Sequence, residues 1–244
     1  EMAEYCAQDV RAERDIADRL RAPTAEELQD YWTSEHINDA GVMVDLPLAR
    51  AAQRYAKEEE QEIIDLVTEL SEGEVTKFRG PSLLAWVRDR ITPDQLESLK
   101  VYRGGEKKYS LDSYSRHRLL DHEDLDPVIR EVVTGADTAM KSSVGKYKAL
   151  ELRSDPDDDR MRGAFVANGA SASGRFSAWG AHVHNFPRDV IRNWPEARQD
   201  LLDNVYPEDI VDYFQMPIMS VLSRMLRRAM IAPEGSRFVA ADWS

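Results

Sequence analysis

The chain is poor in cysteine and in long apolar runs, and it lacks a surplus of positive charge; each of these excludes something. A single cysteine, Cys6, cannot close an internal disulfide, and with no CxxC or HExxH no zinc site is legible. No uninterrupted apolar run approaches the ~18 residues of a membrane span. The opening Glu1-Met2-Ala3-Glu4 has neither the basic start nor the apolar core of a signal peptide. Lysine and arginine number 32 against 45 aspartates and glutamates, leaving a net charge of −13. Such a chain does not coat nucleic acid or anionic membrane through its overall field. What is present, 42% hydrophobic and 32% charged residues over 244 positions, suits a globular chain of one large domain or two small ones.

Hydrophobic periodicity predicts a mainly helical fold. Tyr5–Leu20 reads as a helix with Ala7, Val10, Ile16, Ala17 and Leu20 on one side, interrupted by Ala22-Pro23-Thr24, and a second helix runs from Ala25 to Asn38. Gly41–Asp45 reads as a short strand. Asp45 then caps a long helix to Glu72, with Pro47 in its first turn and Gly73 as its stop. Short helices are expected after Gly80-Pro81 and Thr92-Pro93. Arg103–Ser110 reads as an exposed loop, and Asp126-Pro127 opens a second long helix towards Leu152, weakened at Gly135 and Gly145. Ser154–Asp159 is a loop and the best candidate domain boundary. Beyond it, Arg160–Ala167 reads as a strand, helices follow around 200–202 and from Pro217 to Met230, and Arg237–Ser244 reads as a strand entering a core. A chain that finishes in an apolar strand is expected to be part of something longer.

Four groups of residues could carry chemistry. Lys141-Ser142-Ser143-x-x-Lys146-x-Lys148 gathers ammonium and hydroxyl groups near a helix end. They suit a phosphate backbone, though a solvated helix terminus with lysines complementing its dipole uses the same residues. Ser171–Ser177 sets small residues around Arg175, which also describes a surface turn. His182-x-His184 has metal-ligand spacing without a third ligand nearby, so an ordinary surface pair is the better reading. Asp242 follows an apolar run, where a carboxylate needs a partner or a cation unless it lies at the strand's wet end.

In order, Lys141-Ser142-Ser143, Ser173-Gly174-Arg175-Phe176-Ser177, Asn185-Phe186-Pro187-Arg188, Arg227-x-x-x-Ile231-Ala232-Pro233-Glu234 and Ala241-Asp242-Trp243-Ser244 resemble a family-A DNA polymerase, most closely its phage branch. Upstream, Ile37–Asp45 is similar to the entry into that family's thumb, and Tyr5 with Asp9 matches its third proofreading-exonuclease motif. The resemblance implies an α+β, predominantly helical fold: an exonuclease remnant over 1–24, a thumb over 25–153 and the first antiparallel palm elements over 154–244. It implies that Asp242 is one of two catalytic carboxylates holding a magnesium pair, with the Trp243 backbone carbonyl as a further ligand. Arg175 would reach the minor-groove face of the primer terminus. Lys141, Ser142, Ser143 and Lys146 would grip backbone phosphates, and Asn185, Arg188 and Arg227 would lie along the DNA. The partners implied are primed DNA, a deoxynucleoside triphosphate and a companion polypeptide carrying the fingers and second carboxylate, without which the chain is expected to be inactive. The expected location is the cytoplasm of a bacterial host cell, away from membrane. The alternative is a non-catalytic DNA-binding or scaffold module derived from a thumb.

Overall fold

The computed structural model describes residues 2–240, with positions 79, 142 and 171 outside the described set. Helices dominate, with small antiparallel sheets, so the fold is α+β and predominantly helical. In chain order the elements are α1 (Met2–Ala17), α2 (Ala25–Ala40), β1 (Val42–Val44), α3 (Leu46–Leu70), α4 (Pro81–Arg88), α5 (Pro93–Glu97), β2 (Lys100–Arg103) and β3 (Glu106–Tyr109). Next come α6 (Ser113–Leu120), α7 (Pro127–Ala139), α8 (Lys146–Arg153), β4 (Arg160–Met161), β5 (Phe165–Ala170) and β6 (Arg175–Ala178). The last are α9 (Trp194–Leu202), α10 (Pro207–Phe214), α11 (Ile218–Met225) and β7 (Met230–Ile231). They divide into two compact units, Glu1–Gly41 with Arg162–Trp179, and Val42–Met161 with Gly180–Ser244.

In the first unit Thr24 builds a capping box with Glu27, whose carboxylate Arg21 and the Thr24 amide draw down to about 2. The Asn38 side chain acts as a strand neighbour to Phe165, donating to its carbonyl and accepting from its amide, both at 2.9 Å. The β5–β6 pair follows, with a register shift between Val166 and Ala170. The sequence predicts an apolar side on the first helix, but α1 stops at Ala17 and has no buried residue.

The second unit is organised on α3. Asp45 accepts from the Leu48 amide at 3.1 Å and so caps it, as the Asp-x-Pro pattern predicts. One end of α3 packs with α7 over a core of Val67, Leu83, Trp86, Leu119, Ile129 and Val132; nearer its start Leu48 and Tyr55 are buried, as are Tyr147 and Leu222. β1 is the centre of a β4–β1–β7 sheet, pairing Val42 with Met161 and Val44 with Met230.

Gly135 explains itself here. A Cβ at this position would lie 2.9 Å from the Ile63 Cγ2 and 3.4 Å from the Val67 Cγ2, so the glycine lets α7 lie against α3. Overpacking costs about 1–3 kcal/mol while alanine's helix preference is worth about 1. Gly135→Ala is therefore expected to lower unfolding stability by up to about 2 kcal/mol in urea titration. A stabilised variant would show that α3 and α7 separate freely.

Four expectations need correction. Arg103–Ser110 is not a loop but most of the β2–β3 hairpin, in which Arg103 pairs with Glu106 across Gly104 and Gly105. Both glycines have positive φ, +62° and +81°, which a two-residue hairpin turn demands. The long helix from Pro127 breaks after Ala139 and restarts at Lys146, because Ser143 and Gly145 are poor helix formers and side chains in the break are tied elsewhere. Arg160–Ala167 splits at Gly163, φ +61°, into strands of two different sheets. Arg237–Ala240 forms no strand; Phe238 and Val239 are 65% and 83% exposed, and no strand among the described residues pairs with them.

Candidate nucleic-acid interface

The break between α7 and α8 is the centre of the site, and it lies wholly within the second unit. Lys141 Nζ donates to Ser220 Oγ at 2.6 Å, and Ser143 Oγ meets Ser223 Oγ at 2.8 Å. Below them the buried Tyr147 hydroxyl donates to the Leu222 carbonyl at 2.7 Å, and burial pushes its pKa up. The break is thus laced to α11.

A second set of contacts fixes the next segment. Lys146 Nζ donates to the Asn185 carbonyl at 3.1 Å and stands 5.2 Å from the centre of the Phe186 ring. Arg227 donates to the Pro187 and Phe186 carbonyls at 2.7 and 2.9 Å. Three successive carbonyls are held by two cations, so the backbone is fixed while the Asn185 and Arg188 side chains stay exposed.

Beside this lies a cleft of about 840 Å3. Lys57 of α3, Lys77, Lys141, Lys146 and Lys148 line it, against one acid, Glu60. Among the described residues Lys57, Lys77 and Lys148 form no ion pair. Burial lowers the pKa of Lys141 and of Lys146; Arg224 pushes Lys141 the same way, and Asp137 opposes. Lysines that complement a helix dipole belong in its last turn, yet Lys146 and Lys148 occupy the first turn of α8. That end attracts anions, and lysines there reinforce it.

The remaining expected residues are distributed as follows. Arg175 lies in the first unit, exposed on β6 opposite Ala170. Tyr5 and Asp9 are exposed one turn apart on α1. Ser142, Asp242 and Trp243 lie outside the described residues. His182 and His184 do not form an extended pair: residues 183–185 make a 3-10 turn, with the rings 6.0 Å apart and edge-on. Among the described residues no group of three His, Cys, Asp or Glu could hold a metal, and no helix is long and apolar enough to cross a membrane.

No protein-family model matches the chain. No solved structure matches it either. The sequence aligns over 98% of its length, at 29% identity, with a DNA polymerase of Bacillus phage SP02. The chain is similar to a phage DNA polymerase. It spans about a third of that relative, 34% of its length.

Beyond the polymerase-like motifs, the sequence gives little warning of Lys57 and Lys77, which stand among acids or alone and join the cleft only on folding. Ser220, Ser223 and Arg224 had a readable signal: polar residues at i, i+3 and i+4 of an otherwise apolar helix.

Proposed function

We propose that this chain is the template-primer-binding portion of a family-A DNA polymerase of the phage branch. Residues 1–24 would be the C-terminal end of an exonuclease domain, 25–153 the thumb and 154–244 the start of the palm. The observation that carries the reading is the lysine-lined cleft: a chain with net charge −13 places five lysines and one acid around a single groove. Similarity to a phage DNA polymerase supplies the ligand, because a duplex backbone presents the closely spaced negative charge that such a groove fits. The Lys146 and Lys148 ammonium groups and the Ser143 hydroxyl would supply donors to phosphate oxygens, and the sequence adds Ser142 beside them.

Asp242 and the Trp243 carbonyl offer hard oxygen donors, the type magnesium prefers. They would hold half of a metal pair whose chemistry is to stabilise charge on the attacking and leaving oxygens of nucleotidyl transfer. The contribution of these residues is to bind and orient primed DNA and to supply one of the carboxylates.

Binding of the chain to a fluorescent primed duplex across a salt series tests the interface. Changing Lys57, Lys77 and Lys148 together to glutamine is expected to flatten the slope of log K against log salt by about 2–3, near 0.9 for each phosphate that is no longer neutralised. An unchanged slope would place the duplex elsewhere.

A further inference from the structure

The stretch from 189 to 222 has no role in the reading above, yet its last helix faces the phosphate-type residues directly. One side of α11 is apolar and buried, through Ile218, Met219, Val221, Leu222 and Met225. Ser220, Ser223 and Arg224 share the other side and are half-buried.

Their hydrogen bonding is incomplete. A hydroxyl carries one hydrogen and two lone pairs. Ser220 uses a lone pair on the Lys141 ammonium, so its own hydrogen is still available. In the Ser143–Ser223 pair one hydrogen joins the two oxygens and the other is left over. Two O–H donors therefore remain on one small surface.

Charge is unbalanced in the same place. Arg224 makes no ion pair or hydrogen bond with a described residue and lies near enough to Lys141 to disfavour its charged form. Of the carboxylates that face Lys141, Asp137 is engaged by Arg116 at 2.8 Å. The other, Glu59, is pushed towards its neutral form by burial and by Glu62. Two half-buried cations, two spare hydroxyl donors and weakened local counter-charge complement a tetrahedral oxyanion.

The geometry points to Ser220, Ser223 and Arg224 completing, with Lys141 and Ser143, a site for one backbone phosphate of bound DNA. This rests on the DNA-binding reading above and adds α11 to the binding surface.

Duplex binding by the 244-residue chain across a salt series decides it. Arg224→Gln is expected to weaken binding about 5- to 10-fold and to lower the salt slope by about 1. If its slope stays at the wild-type value while the Lys57, Lys77 and Lys148 triple variant flattens it, the α11 site is overturned and the cleft stands. If the triple variant also binds like wild type, both fall. Ethylation interference gives a decision independent of Arg224. One phosphate whose ethylation blocks wild-type binding is expected to lose that effect in the Ser220→Ala/Ser223→Ala variant, its melting temperature being measured alongside. Identical interference patterns in the two proteins overturn the site.

Discussion

Supplied with fingers and a second palm carboxylate, on the same polypeptide or another, the chain is expected to extend a primer in magnesium, and Asp242→Ala is expected to abolish that extension. A carboxylate that holds a catalytic metal stabilises charge that builds only in the transition state, so its loss falls on kcat. Each 1.36 kcal/mol is tenfold, and a metal ligand worth several kcal/mol implies a loss of about 10³-fold or more. DNA binding should survive, since the lysine cleft uses none of the same atoms. Retained extension would remove Asp242 from the chemistry. Binding without extension under any pairing would favour the non-catalytic module instead.

The second large effect concerns stability. Asp45 is 4% exposed; besides capping α3 it accepts from Arg198 Nε at 2.6 Å and Nη2 at 3.2 Å. Asp45→Ala removes the cap, worth about 1 kcal/mol, and leaves a partly buried guanidinium unpaired, where breaking a buried pair costs about 3–5. Arg198 keeps about a third of its side chain in solvent, so about 3–4 kcal/mol in all is expected from urea unfolding. The double variant Asp45→Ala/Arg198→Met should lose less than the sum of its parts, because no orphan cation remains. A loss below about 1 kcal/mol for Asp45→Ala would show that the pair is dispensable.

What was legible in the sequence was local. Asp45, Thr92 and Asp126 each precede a proline by one or two residues, and each caps the helix expected there. The α3 stripe, from Leu48 through Tyr55 to Val67, needed only periodicity. What escaped was set by distant partners. Arg198 lies 153 positions from Asp45, and nothing near either residue announces the other. Asn38 substitutes for a strand at Phe165, 127 positions away. The helix break at 140–145 depends on α11, nearly 80 positions on. The Gly104-Gly105 hairpin is different: its signal was local and strong, and the surrounding polar residues obscured it. Around the cleft, Lys141, Ser143 and Lys146 stood out by residue type as a cluster of donors. That Lys57 and Lys77 join them was not legible, because net charge averages over surfaces that folding separates.

The ties along 189–225 also bear on how this chain can be cut. Arg198 is fastened to Asp45, Val205 takes the Tyr55 hydroxyl, Asn204 takes Arg54, and Ser220 with Ser223 holds the α7–α8 break. A stretch anchored at that many points to α3 and to the α7–α8 break is no removable insert. Trimming it to reach a minimal version would strip the polar partners from α3 and uncover Leu48, Tyr55 and Tyr147 together. A shortened variant should keep residues 194–225 intact and take its deletions from α1, which buries nothing.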